Sequence, residues 1–70
     1  MLERQILIAN RKEMKAIIRS LDNFGFKTEA GKPWFQCRVD GGRNIIMNYL
    51  VEDEEKDEAV KSFYRSELAN

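Results

Sequence analysis

The alternation of apolar and polar positions predicts a strand followed by an amphipathic helix. Residues 5–9 form a short apolar run with β-branched members, which is typical of a strand. The next apolar residues recur at helical spacing: Met14, Ile17, Ile18 and Leu21. Asn10 precedes this stripe and Glu13 follows three positions later, so a capping box is expected to start the helix. Asn23 and Gly25 are expected to end it, and Gly25 suits a left-handed C-cap.

The first residues also fit a second interpretation. Apolar side chains from Leu2 to Leu21 could share one face of a single helix over residues 2–23. That helix would place Asn10 in its interior and Ile8 among basic residues. The strand at residues 5–9 is therefore preferred, although the sequence alone leaves open whether residues 2–9 form a strand or extend the first helix.

Three further strands and a second helix are predicted beyond the first helix. The strands are expected at residues 24–29, 34–40 and 44–51. Asp53 is predicted to cap a helix over residues 54–68, whose first turn is rich in acidic residues that suit the helix dipole. The expected fold class is α+β, a two-layer sandwich in a single domain of residues 1–70. Its antiparallel sheet has three or four strands with two helices packed on one face, in the order β-α-β-β-β-α.

The hairpin between the last two strands fixes which side chains share a face. A three-residue loop of Asp40, Gly41 and Gly42 would pair Cys37 with Ile45, whereas a two-residue loop would mix polar with apolar partners. The three-residue loop gives one consistent apolar face, which both helices are expected to cover. Its members are Phe35, Cys37, Val39, Ile45, Met47, Tyr49 and Val51.

The opposite face of the sheet combines polar residues with large apolar ones, which a merely solvated surface seldom needs. This face is the predicted interaction surface: Trp34, Gln36, Arg38, Ile46, Asn48 and Leu50. We expect it to bind a protein partner or a second copy of the chain. Self-association is also favoured because a chain of 70 residues buries a modest core and has a single cysteine, so disulfides within the chain cannot stabilise it.

The composition argues against most catalysis. The chain contains no histidine, so Cys37 has no histidine to act as its base, and the strand alternation predicts a buried, inert thiol. One cysteine without histidine does not make a structural zinc site. We expect no enzymatic activity, metal, cofactor or small-molecule substrate.

Charges are balanced overall but segregated along the chain. Lysine and arginine total 12, as do aspartate and glutamate. The acidic residues cluster between Glu52 and Glu58, while a basic stripe occupies the first helix: Arg11, Lys12, Lys15 and Arg19. Because lysine and arginine contacts to phosphates dominate nucleic-acid affinity, this stripe supports RNA or DNA binding as the alternative function.

No stretch has the length of a membrane span, and the early apolar run is shorter than a signal peptide requires. These features and the lone thiol predict a cytoplasmic protein without a membrane partner.

Two resemblances add expectations. Segments of the first half resemble short accessory proteins of phages and prophages: residues 10–14, the spacing of Ile17, Ile18 and Leu21, residues 25–27 and residues 31–34. That resemblance implies a phage-encoded module that binds a host or defence protein, and it identifies no functional residue. The predicted order of elements is also similar to HicA toxins and double-stranded-RNA-binding domains. HicA-type ribonucleases use a histidine, which this chain lacks, so the second resemblance implies the fold and RNA binding without catalysis.

Overall fold

The computed structural model describes residues 1–70 as a three-stranded sheet with two helices. In chain order the elements are β1 (Leu2–Ile8), α1 (Arg11–Phe24), β2 (Phe35–Val39), β3 (Ile45–Val51) and α2 (Glu54–Ala69). All strand pairs are antiparallel and the strand order is β1-β3-β2, so β3 is central. The α+β class is confirmed. The pairing of β1 with β3 decides between the two interpretations of the N-terminal residues in favour of a strand.

The strand predicted at residues 24–29 is wrong. Phe24 still belongs to α1, and the segment that follows makes only an isolated antiparallel bridge between Lys27 and Pro33. The backbone N–H of Phe26 donates to the carbonyl of Leu50 at 2.9 Å. The helix continues to residue 24 and the chain turns back at Gly31, which has φ 78°, so too few residues remain for a full strand.

The β2–β3 pairing differs from the predicted register by two residues. Cys37 lies opposite Met47 rather than Ile45, because the loop runs over residues 40–44. Within this loop the Asp40 carboxylate accepts the N–H of Gly42 at 3.1 Å, and the N–H of Asp40 donates to the carbonyl of Asn44 at 3.3 Å. Since strand side chains alternate with a period of two, an even shift leaves every residue on its predicted face.

The core lies between the helices and the inner face of β1 and β3. Seven apolar side chains are buried there: Ile8, Ile17, Leu21, Met47, Tyr49, Val51 and Val60. Phe35 at the start of β2 still packs against this core, but the helical layer does not extend over the rest of the strand, where Cys37 is exposed and Val39 is 66% exposed. The prediction of a buried Cys37 is therefore wrong, because an inward direction on an edge strand does not ensure that a helix covers it.

Local capping chemistry sets the starts of both helices as expected. The Asn10 side chain accepts the N–H of Glu13 at 2.9 Å, and the Glu13 carboxylate accepts the N–H of Ala9 at 3.1 Å. The Asp53 carboxylate accepts the N–H of Lys56 at 2.9 Å. The left-handed cap predicted at Gly25 is wrong, since this residue has φ −79°. Close approach explains the glycine instead, because a Cβ there would lie 2.8 Å from the carbonyl oxygen of Leu21.

Candidate functional site

The face of the sheet away from the helices has no helix or strand packed on it and contains five of the six predicted interaction residues. Gln36 lies opposite Asn48 and Arg38 lies opposite Ile46, all on this open face, and Leu50 follows on the same side of β3. Trp34 lies just before β2 and is half-buried, and its backbone N–H donates to the carbonyl of Phe26 at 3.0 Å. The sheet thus brings residues from β2 and β3 into one surface, which we call the open face, while Trp34 lies outside the strand in the segment that leads into β2.

A polar chain of side chains crosses the middle of the open face. Arg38 Nη1 donates to Asn48 Oδ1 at 2.8 Å, and Asn48 Nδ2 donates to Glu3 Oε2 at 2.8 Å. These bonds link β2, β3 and β1 in turn and hold the three side chains in defined positions. The one cation and one anion are connected through an amide, so the centre of the face is ordered and has no net charge.

An apolar end lies beside this polar chain. Leu7 of β1 lies opposite Ile46 of β3, and Leu7 is 53% exposed. The two side chains border a shallow depression of about 290 Å³ together with Gln5. The sequence analysis did not identify Leu7 and Glu3 as surface residues of the sheet, because it did not decide whether the N-terminal residues form a strand or part of a helix. A period-two pattern with Ile6 and Ile8 inward would have placed Leu7 outward.

The basic stripe lies on a separate surface, on α1. All four residues predicted for nucleic-acid contact are exposed: Arg11, Lys12, Lys15 and Arg19. Arg19 forms an ion pair with Glu67 of α2 at 3.9 Å. Arg11 lines a cavity of about 310 Å³ with Arg43 of the β2–β3 loop, above apolar contacts from Met14 and Ile45. Arg43 was not among the predicted residues because only the tertiary fold brings its loop to the start of α1.

Sequence reasoning also missed a buried charged cluster at the start of α2. Asp57 is only 1% exposed and accepts a hydrogen bond from the Tyr49 hydroxyl at 2.7 Å. Lys61 Nζ lies 3.1 Å and Arg4 Nε 3.3 Å from Asp57 Oδ2. Arg4 also forms an ion pair with Glu54. Asp57 and Lys61 are four residues apart on α2, which suits an ion pair on a helix, but the sequence gives no sign that Tyr49 and Arg4 bury this pair.

The environment of this cluster determines its protonation states. Burial opposes ionisation of Asp57, but hydrogen bonds from Tyr49, Lys61 and Arg4 outweigh burial, so the pKa of Asp57 lies below its usual value. Burial, and then the hydrogen bond to Asp57, raise the pKa of Tyr49 well above its usual value. The cluster therefore holds a stable carboxylate with a neutral phenol. It connects α2 to β1 and β3, and its carboxylate is enclosed by these partners.

Neither helix is long and apolar enough to cross a membrane. No protein-family model matches the sequence, and neither a curated protein nor a solved structure matches it.

Proposed function

We propose that this protein is a non-enzymatic interaction module that binds a protein partner through the open face of its sheet. The exposure of Leu7, which is 53% accessible beside Ile46 on a face without any covering layer, is the observation that supports this proposal most strongly. Exposed apolar side chains next to ordered polar ones are characteristic of protein interfaces.

The energetics of the open face favour a protein ligand. Complete burial of a leucine side chain contributes about 1.5–3 kcal/mol, and about half of the Leu7 surface is still available for burial. The bonds from Arg38 to Asn48 and from Asn48 to Glu3 fix the polar groups before binding, which reduces the entropy lost on association. The neutral centre gives a polyanion no particular advantage on this face.

The distribution of titratable groups supports a non-enzymatic role. The chain has no histidine, and the carboxylate with the lowered pKa, Asp57, is buried beneath Tyr49, Lys61 and Arg4. A general acid or base needs a free position on the reacting side, and here that position is occupied by protein groups.

The experiment that tests the open face begins with site-specific photocrosslinking in cells of the source organism. A benzophenone amino acid at Leu7 should capture a protein, while the same amino acid at the exposed Glu58 on α2 should not capture it. The purified partner is then titrated against variants. Leu7→Asp should weaken binding at least tenfold, which corresponds to about 1.4 kcal/mol. Lys12→Glu, an exposed change on the helical side, is the matched control and should bind as the wild type does.

Trp34→Ala should also weaken binding to the purified partner by more than it weakens folding, because Trp34 directly precedes β2 and is only half-buried in the free protein. Equal affinities for the wild type, Leu7→Asp and Trp34→Ala, with all three folded, would exclude the open face as the binding surface.

Nucleic-acid binding is a second candidate, favoured by one observation. Arg43 and Arg11 line the same cavity, so the positive surface extends from α1 to the β2–β3 loop. Short RNA and DNA duplexes should then bind with a log affinity that falls linearly with log salt, by about 0.9 per phosphate neutralised. Reversal of Lys15 and Arg19 to glutamate should abolish that binding. Tight duplex binding near physiological salt that this reversal removes would replace the first proposal with the second.

A further inference from the structure

One edge of the sheet offers unpaired backbone groups. β2 (Phe35–Val39) pairs with β3 on one side and has no neighbouring strand on the other. The N–H of Asp40 donates to the carbonyl of Asn44, so these two residues form a hydrogen-bonded pair. Hydrogen-bonded pairs recur at every second residue of an antiparallel ladder, so Gln36 and Arg38 also direct their backbone groups toward β3. The N–H and C=O groups of Phe35, Cys37 and Val39 consequently face the open edge.

The two edges of this sheet differ in their protection against strand pairing. The β1 edge has charged residues at Glu3 and Arg4, and Arg4 points inward to Asp57, a device that discourages edge pairing. The β2 edge has exposed Cys37 and Val39 on its helix side, where no helix covers them. Its only charge, Arg38, is turned along the open face toward Asn48.

We propose that β2 binds β2 of a second copy, antiparallel, about a two-fold axis at Cys37. This register pairs all residues of the strand, because Cys37 is its central position. Phe35 would face Val39 of the second copy, an aromatic and β-branched combination that stabilises antiparallel pairs. Gln36 would face Arg38 of the second copy, so no like charges stand directly opposite each other.

The proposed pairing has clear structural consequences. A two-fold axis normal to the sheet joins two three-stranded sheets into one of six strands, with the helices of both copies on the same side. The open faces of both copies become continuous, so this inference goes beyond the proposed function and concerns the edge rather than the face. A strand of this length spans roughly 17 Å, so the contact is smaller than the ~1,200–2,000 Å² of standard interfaces. The dimer is accordingly weak and concentration-dependent.

Oxidative trapping tests the register directly. Residues in a hydrogen-bonded antiparallel pair have Cα atoms about 5.5 Å apart, within the ~4.4–6.8 Å range of disulfides. Diamide takes two electrons and two protons from two Cys37 thiols, and the wild type should form a disulfide dimer. The matched control combines Gln36→Cys with Cys37→Ser, which moves the thiol one residue along the same exposed strand. It should cross-link at least about tenfold more slowly, because Cα atoms more than about 7 Å apart cannot be bridged without backbone movement.

A second pair of variants tests the register in a different way. One chain has Cys37→Ser with Phe35→Cys, and the other has Cys37→Ser with Val39→Cys. Their mixture should cross-link faster than either variant alone, because the proposed register places these two positions opposite each other. Equal rates for all of these thiols would indicate random collision and would overturn the proposal.

Edge variants test the association without relying on thiol chemistry. Val39→Pro removes an N–H that faces the open edge and leaves the ladder to β3 intact, so the dimer fraction in sedimentation equilibrium should fall. Val39→Lys, which places a charge on the edge as many natural edge strands do, should have the same effect if the proline variant does not fold. An unchanged dimer fraction in the folded lysine variant would overturn the proposal.

An open-face variant distinguishes this proposal from the proposed function. Leu7→Asp should leave both the dimer fraction and the Cys37 cross-linking rate unchanged, so failure of the edge proposal and failure of the open-face proposal give different results.

Discussion

Replacement of Asp57 by asparagine should destabilise the protein by about 2–3 kcal/mol. The change keeps the size of the side chain but removes the charge and turns one acceptor into a donor. Its partners do not contribute equally, since Lys61 and Arg4 are 45% and 32% exposed and exposed ion pairs contribute about 0–1 kcal/mol. The Tyr49 hydroxyl can still donate to the amide oxygen, but a bond to a charged acceptor, which contributes about 1.5–3 kcal/mol, becomes a neutral bond of about 0.5–1.5 kcal/mol. The rest of the loss arises because the new amide N–H groups face the donors of Lys61 and Arg4 at a buried position.

A double-mutant cycle isolates this bond. Tyr49→Phe alone should cost about 1.5–3 kcal/mol, since it removes a hydrogen bond to a charged acceptor. In the Asp57→Asn background Tyr49→Phe should cost only about 1 kcal/mol, the contribution of a neutral hydrogen bond, which gives a coupling energy of about 0.5–2 kcal/mol. Glu58→Gln is the matched control, because Glu58 is the exposed neighbour of Asp57 on α2, and it should change stability by less than about 0.5 kcal/mol.

Urea unfolding measures these values, with circular dichroism following the helices and Trp34 fluorescence following the sheet. The urea concentration at the unfolding midpoint should fall, while the slope of the free energy of unfolding against urea concentration stays the same. This combination indicates a change in stability alone. Strictly additive effects of the two substitutions would show that the charge of Asp57 adds nothing to its bond with Tyr49. A loss of less than about 0.5 kcal/mol in Asp57→Asn would refute the argument that this carboxylate stabilises the start of α2.

The same pair determines how stability depends on pH. The pKa of Asp57 is lowered by folding, so its contribution is present above the unfolded value of about 3.9 and is lost as the pH falls through the folded value. The pKa of Tyr49 is raised by folding, so its contribution is complete below about pH 10 and is lost as the pH rises above that value. Tyr49→Phe should therefore reduce the alkaline loss of stability, and Asp57→Asn should reduce the acid loss. Unfolding midpoints measured across pH would test both limbs.

Other substitutions have simpler expected outcomes. Ile17→Ala should lower the free energy of unfolding by about 2–5 kcal/mol, because this side chain is completely buried, and calorimetry measures that loss. Gly25→Ala should cost about 1–3 kcal/mol in urea unfolding, because the new Cβ would meet the backbone of Leu21, whereas the open position of Gly42 should accept alanine with a smaller loss. Cys37→Ser should change stability by less than about 0.5 kcal/mol because the thiol is exposed, and a loss of several kcal/mol would contradict the uncovered β2.

The parts of the fold that follow from local chemistry could be predicted from the sequence. The starts of α1 and α2 depend on Asn10 and Asp53, whose side chains bond to backbone groups three residues later. The face on which each hairpin residue lies follows from alternation alone. Consequently Gln36 and Asn48 were placed together on the open face even though the predicted register was off by two residues.

The features that depend on tertiary placement could not be predicted. A period-two pattern does not distinguish registers that differ by two residues, so the length of the loop over residues 40–44 decided the register. The exposure of Cys37 depends on how far the helical layer extends across the sheet. The buried state of Asp57 requires Tyr49 and Arg4, which lie on two other elements, to meet the first turn of α2.

The limited width of the helical layer links the two proposed surfaces. The helices cover the inner side of β1 and β3, and no helix or strand packs on the other side of the sheet. Residues 36–39 of β2 are therefore exposed, while Phe35 at the start of the strand packs against the core. Leu7 remains accessible because no element packs on the open face, and Val39 remains accessible because the helices do not reach its end of β2. A core of seven buried apolar residues gives a small domain a modest stability. A contact that buries Leu7 or Val39 would add to that stability. Self-association of the proposed kind would stabilise the fold, so the unfolding midpoint should rise with protein concentration.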